Sequence, residues 1–184
     1  LLPGKDGRHH WVLPPNGKAA PKVNGTLVLE KAGARAARLS WTFTPEADME
    51  LAEMGVTVNL RCGDLKGGKV VLDGRELPFP SDPSARVKIG YAEARTVQLV
   101  DAAGSVRATL AFDAPQGVLV QDNRVWGHEN FSLRLAVPHE KPFRKGRTSA
   151  LSLVYTAACP FDLKRPDPVK IVAGANWIPL APAG

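Results

Sequence analysis

Recognisable catalytic motifs are what this sequence most plainly lacks. It has no Gly-x-Ser-x-Gly nucleophile turn and no Gly-x4-Gly-Lys-Ser/Thr phosphate loop, so neither chemistry has a local template. The four histidines, His9, His10, His128 and His139, show no ligand spacing, and no metal site or cofactor is expected. Glu46, Asp48, Glu50 and Glu53 lack the glycine-punctuated oxygen loop of many calcium sites and read as a solvated face. The two cysteines, Cys62 and Cys159, are too distant in sequence for a metal knuckle or a CxxC pair; one disulfide or two buried free thiols both fit. No apolar run approaches the ~18–20 residues of a membrane helix, so no membrane partner is expected. The opening Leu1-Leu2-Pro3-Gly4-Lys5 has no signal-peptide features and no initiator Met, which suggests a processed or excised chain.

What is abundant is turn chemistry and strand alternation. Seventeen glycines and sixteen prolines in 184 residues suit many strands joined by tight turns. Apolar residues recur with period two at Leu39, Trp41 and Phe43, and at the even positions of 54–62. The same pattern holds at Val87, Ile89 and Tyr91, at Val106 to Phe112, at Phe131 to Val137, and at Leu151 to Tyr155. Weaker runs occupy 26–30, 69–72, 96–101, 118–121 and 169–173. Asp73-Gly74 between Val70-Val71-Leu72 and Arg75-Glu76-Leu77 is a two-residue hairpin signature. The reading is all-β: an antiparallel β-sandwich, jelly-roll or supersandwich-like, of about a dozen short strands with at most one short helix. That helix is expected over 44–55, with Thr44 as cap, Pro45 in the first turn and Gly55 at the end. One sandwich domain spans 1–168, beginning with an N-terminal connector, and 169–184 is a linker or the start of a following domain.

Strand phase turns Arg38, Ser40, Thr42, Asn59, Arg61, Arg86, Lys88, Gln98, Arg107, Thr109, Ser132 and Arg134 outward. On one sheet they would offer guanidinium, amide and hydroxyl groups to sugar hydroxyls or to the anions of acidic glycans. An ordinary solvated face explains them equally simply. Trp41 falls on the core phase, whereas Trp11 and Trp126 lie in polar surroundings suited to stacking on a sugar ring. The stretch Gln121 to Asn130 concentrates Arg124, Trp126, His128, Glu129 and Asn130 in a single loop. A loop closing its own hydrogen bonds would need the same residues. A net charge of +6 favours polyanionic partners, but it is dispersed, and Lys141 to Arg147 is the sole passage suited to phosphate; nucleic acid is not an expected partner.

Gly174-Ala175-Asn176-Trp177-Ile178-Pro179 resembles the Gly-x-Asn-Trp/Tyr-Ile-Pro segment that opens the catalytic barrel of beta-mannosidase-like, family-two-type glycoside hydrolases. After Pro179 the pattern departs, with Leu180-Ala181-Pro182 in place of a polar continuation. The resemblance implies a β-sandwich accessory domain of a multidomain glycoside hydrolase, with Asn176 and Trp177 approaching the sugar site of the intact enzyme. Glycoside hydrolysis needs two carboxyl groups roughly 5–10 Å apart, and the sequence nominates no such pair. The expected role is therefore a noncatalytic carbohydrate-binding or scaffold domain, with catalytic residues none and Trp11, Arg124, Trp126, His128, Glu129, Asn130, Asn176 and Trp177 as candidate carbohydrate contacts. Its partners are a carbohydrate, acidic polysaccharide included, and an adjacent catalytic domain; its setting is secreted or periplasmic. Two alternatives are a β-jelly-roll polysaccharide lyase using Tyr91, Tyr155 or His128, and a purely structural interaction domain.

Overall fold

The computed structural model describes residues 8–13, 22–51, 53–83, 86–161 and 176–177. Eleven strands follow in chain order: β1 (His9–Leu13), β2 (Val23–Lys31), β3 (Ala36–Pro45), β4 (Gly55–Arg61), β5 (Lys69–Leu72), β6 (Arg75–Pro78), β7 (Lys88–Val100), β8 (Val106–Asp122), β9 (Asn130–Ala136), β10 (Ser149–Ala157) and β11 (Asn176–Trp177). One helix, α1 (Cys62–Leu65), and a 3-10 turn, Asn123–Trp126, complete the set among the described residues. The fold is the expected all-β one.

Two wings share one long hairpin. The first wing runs β1-β2-β3-β10-β8-β7-β5-β6, using the first half of β8 and the second half of β7. The second runs from the first half of β7 through the second half of β8 to β9, β4 and β11. All pairings are antiparallel except β11 with β4. Between the wings β8 spends Phe112 to Pro115 opposite the single Arg95 of β7. Pro115, which has no N–H for a ladder, sits in this bulge, where its missing donor does least harm.

Alternation explains the core. Leu39, Trp41 and Phe43 of β3 and Leu151, Leu153 and Tyr155 of β10 face Val56, Val58 and Leu60 of β4 and Phe131, Leu133 and Leu135 of β9 in one buried cluster. Each such side chain contributes roughly 1.5–3 kcal/mol of burial. Trp41 is buried as its phase requires, and its Nε1 is the sole buried side-chain polar atom without a partner among the described residues.

Three expectations need correction. No helix forms over 44–55: β3 continues to Pro45, and Met49 then bridges to Phe143. A segment that short has little helical stability of its own, and its Asp48 binds the facing basic loop instead. Asp48 accepts from Arg144 Nη1 at 2.8 Å and from the Lys145 N–H at 2.7 Å, contacts that hold its carboxyl below the usual range. Residues 9–13, read as part of a connector, form β1 against β2. Runs 87–91 and 96–101 are one strand, β7, as are 106–112 and 118–121 in β8. The expected strand over 169–173 lies outside the described residues.

Candidate functional site

The β8–β9 connection is organised by an internal ion pair. Asp122 ends β8 on its inward phase, fully buried, and accepts from the Arg124 N–H at 3.1 Å, from Nε at 2.9 Å and from Nη2 at 2.8 Å. The same guanidinium donates to the carbonyls of Pro80, Ser81 and Asp82 at 2.8, 2.9 and 3.2 Å and lies 4.8 Å from the centre of the Phe131 ring. Its hydrogen bonds to Asp122 push its pKa further up, so it stays charged. Gly127, at φ 78°, closes the turn in a left-handed conformation that a side chain would strain.

This brace sorts the candidates of that loop. Arg124 is consumed internally. Asn130 is buried, its amide donating at 3.0 Å to both the Asn59 side chain and the Phe131 carbonyl. Trp126, His128 and Glu129 are at the surface, with Trp126 58% exposed. Trp11 stands opposite Gly25 in β1, while Asn176 and Trp177 pair with Val58 and Asn59 of β4; the side chains of these three lie outside the described atoms. Of the five candidates on the β8–β9 loop, Arg124 and Asn130 are thus spent inside the fold, and Trp126, His128 and Glu129 face the surface.

The outward face of the second wing gathers others. Register aligns Tyr91, Leu119, Arg134 and Thr57 in one row across β7, β8, β9 and β4. The next row toward the 3-10 turn is Lys88, Gln121, Ser132 and Asn59. Asn123 stands beside that second row, its Oδ1 3.5 Å from Ser132 Oγ, and there Asn59 and Ser132 are buried although their phase is outward. The first row remains open.

Tyr91, expected on a core phase, is 48% exposed. Its inward neighbours are instead Gly90, Ala92 and Ala94, small because the interior there is already occupied: a Cβ on Gly90 would lie 2.5 Å from Leu77 Cδ1. The bulge at Arg95 then reverses the phase, so that Val97 and Leu99, of the same parity as Tyr91, face inward. Gly117 seats the phenol ring, since a Cβ there would come within 2.9 Å of Tyr91 Oη. Lys88 Nζ lies 5.9 Å from the ring centre, and Arg75 Nη1 donates to the Tyr91 carbonyl at 3.4 Å. Arg134 faces Glu53 at a loose 3.8 Å.

The expected outward set divides between the wings. Arg38, Ser40, Thr42, Gln98, Arg107 and Thr109 belong to the first, where Arg38 grips Asp113 of the bulge at 2.9 Å. Asn59, Arg61, Lys88, Ser132 and Arg134 belong to the second, and Arg86 lies exposed just before β7. In the basic loop Arg144 is paired with Asp48 and Arg147 with Glu140 at 3.4 Å, beside a shallow open depression of about 540 Å³ lined by His139, Phe143 and Ser149. Cys62 is buried and Cys159 exposed, both free; burial raises the Cys62 thiol to about 11. Among the described residues no group of histidine, cysteine and acidic side chains is placed to hold a metal, and no helix is long and apolar enough to cross a membrane. The chain matches no protein-family model and no curated protein.

Proposed function

We propose that this chain is a noncatalytic β-sandwich domain that binds carbohydrate for a polysaccharide-degrading glycoside hydrolase, using the open row Tyr91, Leu119, Arg134 and Thr57. The observation that carries the reading is the Tyr91 ring, half exposed and seated against Gly117, in a row that continues through Leu119 to the hydrogen-bonding side chains of Arg134 and Thr57. An aromatic face matches the apolar face of a pyranose, while guanidinium, hydroxyl and amide groups match its rim. A flat, open surface also suits a polymer better than a small molecule, which pockets enclose. Such a substrate lies outside the cell, which goes with a secreted or periplasmic setting.

The segment resembling a barrel opening supports the accessory role, because its Asn176 and Trp177 pair with β4 at the edge of this same wing. A catalytic barrel following it would adjoin the wing that carries Tyr91. The lyase alternative draws less support. Tyr155 is buried and its hydroxyl pKa is raised by that burial, the wrong direction for a base. Asn130 donates to Asn59 below the surface and is not aimed into an open cleft.

Affinity electrophoresis through gels containing neutral and acidic polysaccharides tests the proposal. The protein is expected to be retarded by at least one, and Tyr91→Ala to weaken that binding roughly tenfold, the loss of about 1.4 kcal/mol of ring contact. Free migration in every gel would overturn it.

A further inference from the structure

The charge around Tyr91 narrows the ligand. Lys88 stands over the edge of its ring, Arg75 reaches its carbonyl along the side of β7 that β5 leaves open, and Arg134 lies two strands away in its row. Arg61 follows on the outward phase of β4 and is exposed. Lys88, Arg134 and Arg61 share this face with two carboxylates, Glu93 beside Tyr91 and Glu53 near Arg134. Resting on the carbohydrate-binding reading above, we propose that the face takes an anionic polysaccharide, whose uronate or sulfate groups meet Lys88 and Arg134 while one sugar ring stacks on Tyr91.

The geometry gives each group a separate task. A neutral sugar needs only the ring and hydrogen-bonding neighbours. Cations on both sides of the ring add favourable energy only where the ligand carries negative charge along its length. Arg134 suits this role because its guanidinium offers paired donors to a carboxylate or sulfate, and its own acidic neighbour is held too loosely to saturate it. Lys88, its Nζ 5.9 Å from the ring centre, would contact an anion on the sugar stacked there.

Binding to polygalacturonate and to its full methyl ester, and to dextran sulfate and dextran, separates the possibilities. The chain is expected to bind polygalacturonate or dextran sulfate at least tenfold more tightly than the uncharged counterpart, with affinity falling as salt rises from 50 to about 300 mM. The polymer preferred then tells uronate from sulfate. Tyr91→Ala and the double variant Lys88→Gln/Arg134→Gln should each lose tenfold or more, with thermal midpoints within a few degrees of the parent. Equal binding to the charged and uncharged polymer of a pair would overturn the anionic assignment and leave the carbohydrate reading standing. Charged-polymer binding that survives both variants would mark diffuse attraction by a basic protein and would also overturn it. No binding to any of the four removes both readings.

Discussion

Arg124 shows how a polar side chain on a surface loop becomes part of the interior. Its guanidinium joins the end of β8 to the carbonyls of residues 80–82 and covers Phe131. Truncating one partner of such a pair leaves the other charge buried and uncompensated. Arg124→Ala is expected to cost about 3–5 kcal/mol in urea unfolding, and Arg124→Met with Asp122→Leu to cost less than the single change. Cys62, just beneath, makes a second prediction. Because burial raises its thiol to about 11, the folded state keeps a proton that the unfolded chain releases above roughly pH 8.5. Its contribution to stability is therefore complete below that pH and declines as pH rises toward 11; Cys62→Ala should flatten this alkaline limb. In the native protein a thiol reagent should find Cys159 promptly and Cys62 only on unfolding.

Among the elements, the hairpin turn at Asp73-Gly74 does more than reverse the chain. The Asp73 carboxylate accepts from the Arg95 and Thr96 N–H groups, each at 2.8 Å, and so satisfies the backbone of β7 where its ladder is broken. Asp73→Ala is expected to destabilise by about 1–3 kcal/mol, and Asp73→Asn by less, since the amide keeps one acceptor and tolerates the positive φ of 45°. A shift of the thermal midpoint measures both. The turn itself was legible from Asp-Gly between two apolar runs, and β3, β9 and β10 from unbroken alternation. The face of Tyr91 was not, because Val87, Ile89 and Tyr91 keep the parity of Val97 and Leu99 while the bulge between them exchanges inside for outside. The sign available in the sequence was the small set Gly90, Ala92 and Ala94, which marks a crowded interior and not a wet surface. Arg124 was legible as an important residue, but its partners at 80–82 are some forty positions away and only the fold brings them near.

At the scale of the molecule, β7 and β8 belong to both wings at once. Their pairing extends from Lys88 with Gln121 to Val100 with Val106, so each wing borrows half of the same two strands. Neither wing has a boundary across which it could separate without tearing that ladder and opening the common core. The slowest backbone amides of the inner strands β3, β10, β9 and β8 should therefore exchange with deuterium through one shared opening free energy, equal to that of global unfolding. An independently opening second wing would show as a distinct, faster group in β9. Continuity also has a kinetic side. The hairpin is the most local of the long pairings, whereas β3 must find β10 more than a hundred residues along the chain. Early closure of β7 on β8 would set a template on which both wings then grow, with the distant strands arriving last and setting the folding time.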